Sequence, residues 1–177
     1  MIQLLKPSSQ QIEKLEIYLR MLMKRNHSIN LTGFSDERLV RERLFADTFY
    51  LAPFLDGLLA HKSQPFIWDL GAGAGLPGIP LRTVWDKGVY IMVEARVKRA
   101  LFMENALALL KLRQTKVFEG RAEKFFSVVD KKADCILSRA FRHPVNMSSE
   151  SRTRCCSTLR SEKRDFRQSR SGTAVTV

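Results

Sequence analysis

The chain has few of the residues that build cross-linked or metal-bound folds: three cysteines and three histidines among 177 residues. Cys135, Cys155 and Cys156 are odd in number and badly placed for a disulfide framework, so a reducing, cytoplasmic setting is expected. Cys155-Cys156 has no CxxC partner, and His27, His61 and His143 are scattered without ligand spacing, which argues against zinc. Long apolar runs are missing as well. Nothing approaches the roughly 18 consecutive apolar residues of a membrane-spanning helix. The opening stretch, Met1 to Pro7, lacks the basic start, apolar core and small-residue cleavage site of a secretory signal. Acids are scarce beside bases, 18 against 30, giving a formal charge of +12. That excess suits a polyanionic partner, RNA or DNA, but describes association rather than chemistry. The hydrophobic share, 45%, is ordinary for a single folded domain with a small appended element.

Three stretches differ in kind. Residues 1–60 read as helical: Ser8 or Ser9 can cap a helix whose apolar stripe is Ile12, Leu15, Leu19, Leu22 and Met23. His27 to Gly33 is turn-like, and a second helix is expected from Ser35 or Asp36 through Phe49 toward Pro53. Residues 61–144 alternate strands and helices. Phe66–Leu70, Val89–Val93, Lys116–Glu119 and Asp134–Ser138 read as strands, with a helix from about Val97. That alternation predicts an α/β fold, a mostly parallel sheet with helices on both faces. Cys135, on an apolar strand, reads as core. In residues 145–177 only nine of 33 are apolar and seven are serine. Such a polar, basic tail cannot bury much and is expected to be disordered.

The chemistry is expected in the glycine loop, Asp69-Leu70-Gly71-Ala72-Gly73-Ala74-Gly75-Leu76-Pro77-Gly78-Ile79-Pro80-Leu81, which follows a strand and opens a helix. Glycine admits positive φ and lets a ligand approach the backbone. Pro77 or Pro80 suits the first helical turn. Two cofactor classes compete for this loop. Gly73-x-Gly75-x-x-Gly78 matches the dinucleotide fingerprint, with pyrophosphate at the helix N-terminus and a nicotinamide-dependent oxidoreductase as the consequence. Asp69 before Gly71-x-Gly73-x-Gly75 matches the S-adenosylmethionine loop of Rossmann-like methyltransferases, and an acid at the strand end suits that donor's cationic groups. Asp69 therefore favours the methyltransferase. Glu94, ending the second strand, can accept both ribose hydroxyls of an adenosine in either class.

An ordered set of further motifs accompanies the loop: Asn30-Leu31-Thr32, Arg43-Leu44-Phe45-Ala46-Asp47-Thr48, Lys98-Arg99 with Phe102, Arg121-Ala122-Glu123 and Ser138-Arg139-Ala140-Phe141. From about Leu15 to Phe141 the chain resembles the bacterial 16S ribosomal RNA guanine-N7 methyltransferases, also called the glucose-inhibited division protein B family. The resemblance implies a Rossmann-like class I methyltransferase fold carrying N-terminal helices, S-adenosylmethionine as cofactor, and 16S rRNA or the small ribosomal subunit as partner. By position it makes Gly71 and Leu76 cofactor contacts of the loop, Ala122 and Glu123 the pair beside the adenine, and Arg139 the arginine after the fourth strand. Asp69, Gly73 and Glu94 join them from the reading above. No catalytic acid or base is expected, because guanine N7 has a free lone pair. Lys24, Arg25, Arg38, Arg41, Arg43, Lys98 and Arg99 are candidates for RNA contact. The resemblance fades near Arg142-His143-Pro144, where family members continue with further strands and helices. The sheet is therefore expected to be incomplete on its C-terminal side, with the fourth strand a bare edge. A basic RNA-binding or ribosome-associated protein that keeps the fold without catalysis is the alternative.

Overall fold

The computed structural model describes residues 6–138 and 174–176. Helix α1, Ser9–Ile29, starts where its cap residue permits: Ser8 Oγ accepts from the Gln11 N–H, and Gln11 Oε1 accepts from the Ser8 N–H at 2.8 Å. The helix buries Leu15, Tyr18, Leu19 and Leu22, while Ile12 is 46% exposed and falls off the expected stripe. It also runs through His27 and Ser28, which were expected in a turn, and ends at Asn30 in the left-handed region. Asn is one of the few residues that tolerate that conformation.

Asp36 caps the next helical stretch, accepting from the Arg38 N–H at 2.7 Å. Helix α2, Glu37–Val40, passes through a π-helical turn, Arg41–Phe45, into α3, Ala46–Leu58. Pro53 sits inside α3 rather than ending it. Its fixed φ is compatible with a helix; what it removes is one backbone donor.

Among the described residues, five parallel strands follow the order β3-β2-β1-β4-β5. They are β1 (Phe66–Leu70), β2 (Val89–Glu94), β3 (Thr115–Glu119), β4 (Cys135–Ser138) and β5 (Ala174–Thr176). Connecting helices are α4 (Gly78–Val84), α5 (Val97–Leu110) and α6 (Ala122–Val128). The period of two along each strand sorts side chains between two cores. Ile67, Tyr90, Met92, Cys135 and Leu137 face the larger one, which also holds buried side chains of α1, α3, α4 and α5. Trp68, Leu70, Val93 and Ile136 face the smaller one under α6, where Trp68 meets Phe125 edge-on with ring centroids 5.1 Å apart.

Cys135 is fully buried, as expected. The expectation that β4 is a bare edge is corrected: β5 pairs with it at Ile136, Leu137 and Ser138. Parallel pairing leaves backbone donors and acceptors on both sides of a strand, and β5 takes up the outer set. The rest of the tail expected to be disordered lies outside the described residues.

Strand order reverses between β1 and β4, whose ends Leu70 and Ser138 lie opposite each other. Such a reversal opens a crevice at the carboxyl ends of the strands, the place where open α/β sheets bind ligands. The glycine loop begins at that point.

Candidate functional site

The loop leaves β1 and turns immediately back onto β2. Gly71 and Ala72 both donate their N–H groups to the Val93 carbonyl, at 2.9 and 3.1 Å. Gly71, Gly73 and Gly75 take φ of 70°, 63° and 83°, a region closed to most side-chain-bearing residues. The glycines differ in what surrounds them. A Cβ on Gly75 would strike Ile79 at 2.5 Å, and one on Gly78 would strike Asp69 Oδ2 at 2.7 Å. Those two serve packing. At Gly73 a Cβ would meet Arg99 Nη1 and the Gly71 carbonyl at 3.8 Å, ordinary contact distance, so close packing does not fill the ground beside its backbone.

Glu94 holds this ground in place. Its Oε2 accepts from the Gly73 N–H at 2.8 Å and its Oε1 from the Arg96 N–H at 2.9 Å. Its backbone carbonyl accepts from the Gly120 N–H at 2.9 Å. One residue, only 7% exposed, thus ties together the loops that follow β1, β2 and β3. From the other side Tyr18 of α1 donates its hydroxyl to the Ala74 carbonyl at 2.8 Å.

Asp69 is 1% exposed and lies beneath the loop, where its Oδ2 accepts from the Tyr90 hydroxyl at 3.0 Å. Burial, reinforced by the neighbouring Asp69 carboxylate, pushes the Tyr90 phenol well above its ordinary range, so it remains a donor. Leu76 and Ala122 are buried, and Glu123 is exposed in the first turn of α6. Arg139 lies outside the described residues.

A pyrophosphate has no seat here. Every residue of α4 is buried, the Ile79 N–H donates to the Gly75 carbonyl, and Pro80 has no N–H. The dinucleotide reading needs open amides at that helix start. The glycine spacing that suggested it has a packing cause at Gly75 and Gly78.

Among the basic candidates, Arg41 is committed elsewhere. It pairs with Glu16 and, at 2.7 Å, with Glu37. Hydrogen bonding to those acids raises its pKa, and the same contact lowers that of Glu16. Arg38 pairs with Glu42 at 2.7 Å, and Arg99 donates to the Asn30 carbonyl at 2.8 Å. Lys24, Arg25 and Lys98 are exposed, with no ion pair among the described residues. The side chain of Arg43 is not described. His27 and His61 are exposed, and no group of metal ligands occurs among the described residues. No described helix is long and apolar enough to cross a membrane.

Residues 11–158 match the family model of GidB, rRNA small subunit methyltransferase G. The chain belongs to the GidB family. Its relatives include the "Ribosomal RNA small subunit methyltransferase G" of Nitratidesulfovibrio vulgaris, 48% identical over 135 residues, and that of Lawsonia intracellularis, 44% identical over 140. Each alignment covers 76% of this GidB-family chain and 61% or 62% of the relative, so the chain spans about three-fifths of their length. Among solved structures, an O-methyltransferase from Bacillus cereus in complex with SAH aligns at 18% identity and a TM-score of 0.46. That alignment covers 76% of this chain and 55% of the other.

Three contacts around this candidate site escape a sequence reading. Tyr18 sits on the apolar stripe of α1, and its hydroxyl is the available signal, since a buried phenol needs an acceptor. Tyr90 reads as a strand-former, and Asn30–Arg99 joins positions 69 residues apart. No local pattern reports either pairing.

Proposed function

We propose that this chain binds S-adenosylmethionine over Gly71–Gly73 and, as part of a 16S rRNA methyltransferase, serves methyl transfer to N7 of one guanine in the small ribosomal subunit. Family membership supports the reaction class. The observation that carries the donor site is Gly73: backbone at positive φ, held by Glu94, where a Cβ would meet Arg99 Nη1 and the Gly71 carbonyl only at 3.8 Å, so close packing does not account for the glycine.

The residues present fit such a donor. Each Glu94 oxygen receives one backbone N–H and retains acceptor capacity for a ribose hydroxyl. Asp69 acts from beneath, with Tyr90, to set the loop rather than to touch the ligand. On the resemblance, Gly71 and Leu76 contact the donor from the loop, Ala122 and Glu123 lie beside the adenine, and Arg139 follows the fourth strand. When bound, the donor supplies an electrophilic methyl on a sulfonium. Guanine N7 presents an in-plane lone pair, so the chain needs no base to remove a proton. Its residues contribute by aligning the reactants and excluding water. Lys24, Arg25 and Lys98 remain the candidates for RNA contact, and binding through such groups makes RNA affinity fall steeply with salt. We read residues 1–60 as the helical segment, 61–144 as the donor-binding domain and 145–177 as a polar tail, in a cytoplasmic protein.

The test is methyl transfer from labelled donor to 16S rRNA and to small subunits, followed by aniline cleavage, which cuts at N7-methylated guanine. Labelled RNA cut at one site is expected. Donor binding with unlabelled RNA would instead favour the binding-only alternative.

A further inference from the structure

Asn30 and Arg99, which the proposed chemistry leaves unused, meet beside the glycine loop. Asn30 ends α1 at φ 45°, ψ 65°. The turn after it is closed by Asn26, whose Nδ2 donates to the Phe34 carbonyl at 2.8 Å and whose Oδ1 accepts from the Thr32 N–H at 2.7 Å. So fixed, the Asn30 carbonyl accepts from Arg99 Nη2 at 2.8 Å. Nη1 of the same guanidinium stands 3.8 Å from where a Cβ on Gly73 would lie. Arg99 Nε is shielded from solvent and has no hydrogen-bond partner. Arg99 also forms no ion pair among the described residues, while the nearby Glu94 carboxylate is held by backbone amides.

A guanidinium offers five N–H donors in a planar fork, and shielded donors without acceptors are costly. This one is oriented by a backbone carbonyl and stands beside Gly73 of the loop. We propose that Arg99 binds the carboxylate at the amino-acid end of the donor and makes that carboxylate a requirement for tight binding. The inference rests on the loop being the donor site. S-adenosylmethionine carries one anionic group, the carboxylate, beside a cationic ammonium and sulfonium. A fixed guanidinium therefore attracts one end of the molecule only, which gives the ligand a direction as well as affinity.

The experiment compares S-adenosylmethionine with its decarboxylated form, which keeps both cationic groups, by calorimetric titration of the full chain. The wild type is expected to prefer the intact donor by at least about tenfold, the scale of one charged hydrogen bond. Arg99→Gln should lose that preference by weakening the intact donor alone, and Arg99→Lys should keep part of it. Circular dichroism checks that each variant folds, and the wild-type ratio is decisive even if Arg99→Gln does not. Equal wild-type affinity for the two ligands, or equal weakening of both in Arg99→Gln, would overturn the proposal and leave Arg99 a brace. Binding of neither ligand by the wild type would instead sink the donor-site reading itself.

Discussion

Replacing Glu94 by glutamine perturbs the site at the point where three loops are joined. The carboxylate accepts two backbone N–H groups at 2.8 and 2.9 Å from a largely buried position. A glutamine amide has one oxygen and one NH2, so it can satisfy either Gly73 or Arg96 but must point a donor at the other. The variant loses the charge assistance of one bond and leaves a second N–H unmet. Losses of this kind run at about 1–3 kcal/mol each, and partial relaxation brings the net cost to roughly 2 kcal/mol. For a chain of this size that lowers Tm by about 4–8 °C. Calorimetric melts without ligand measure this structural part directly. Melts with saturating S-adenosylhomocysteine measure the ligand's part, because stabilisation by a ligand follows its affinity. The ligand-induced rise in Tm should shrink in Glu94→Gln beyond the ligand-free loss. An unchanged melt in both conditions would refute the account of Glu94 as the tie between loops and as a ribose acceptor.

Four further outcomes follow from particular contacts. Tyr90→Phe removes the donor to buried Asp69 and should cost about 1–3 kcal/mol by urea denaturation at pH 7. Because the folded-state pKa of Tyr90 lies above its unfolded value, its contribution is full below about pH 10, where the unfolded phenol begins to ionise, and is lost as pH rises from there through the higher folded value, so the alkaline limb of stability should be shallower in Tyr90→Phe. Gly78→Ala places a methyl 2.7 Å from Asp69 Oδ2 and 3.1 Å from Met92 Sδ, and should destabilise by about 1–3 kcal/mol in the same assay, whereas Gly33→Ala, with open space around it, should not show that packing loss. Glu16→Gln should cost no more than about 1 kcal/mol at low salt, since the pair with Arg41 is partly exposed. Because the Glu16 pKa is lowered, that contribution is present above the unfolded value near 4.5 and fades as pH falls through the lower folded value.

Much of the frame was legible because periodicity and turn chemistry are local. β1 matches its expected bounds, Phe66–Leu70, and β2 differs by one residue, since runs of β-formers bounded by glycine, Gly71 after β1 and Gly88 before β2, leave little room for error. The end of α1 was less legible: His27 and Ser28 are weak helix formers, and Ile29, packed against the core beyond them, lies within the helix before its cap at Asn30. Arg82 is the clearest example of a residue whose role no pattern reports. It is 2% exposed, and its guanidinium donates to the carbonyls of Trp85, Asp86, Lys87, Gly88 and Arg113 and to Thr115 Oγ1. A buried arginine is tolerable only with such a complete set of acceptors, and they come from loops that only the folded chain brings together. The glycine loop was visible as a loop, but the competing cofactor assignments could be separated only once α4 was seen to be buried.

The most direct measurement is calorimetric titration of the full chain and of Gly73→Val with S-adenosylmethionine and with NAD. The account predicts saturable heat from S-adenosylmethionine with the wild type, none from NAD, and loss of the first signal in Gly73→Val, where a branched side chain is strained at φ 63° and would crowd the ground beside Arg99 Nη1. Uptake of NAD by the wild type, or undiminished S-adenosylmethionine binding by Gly73→Val, would contradict it.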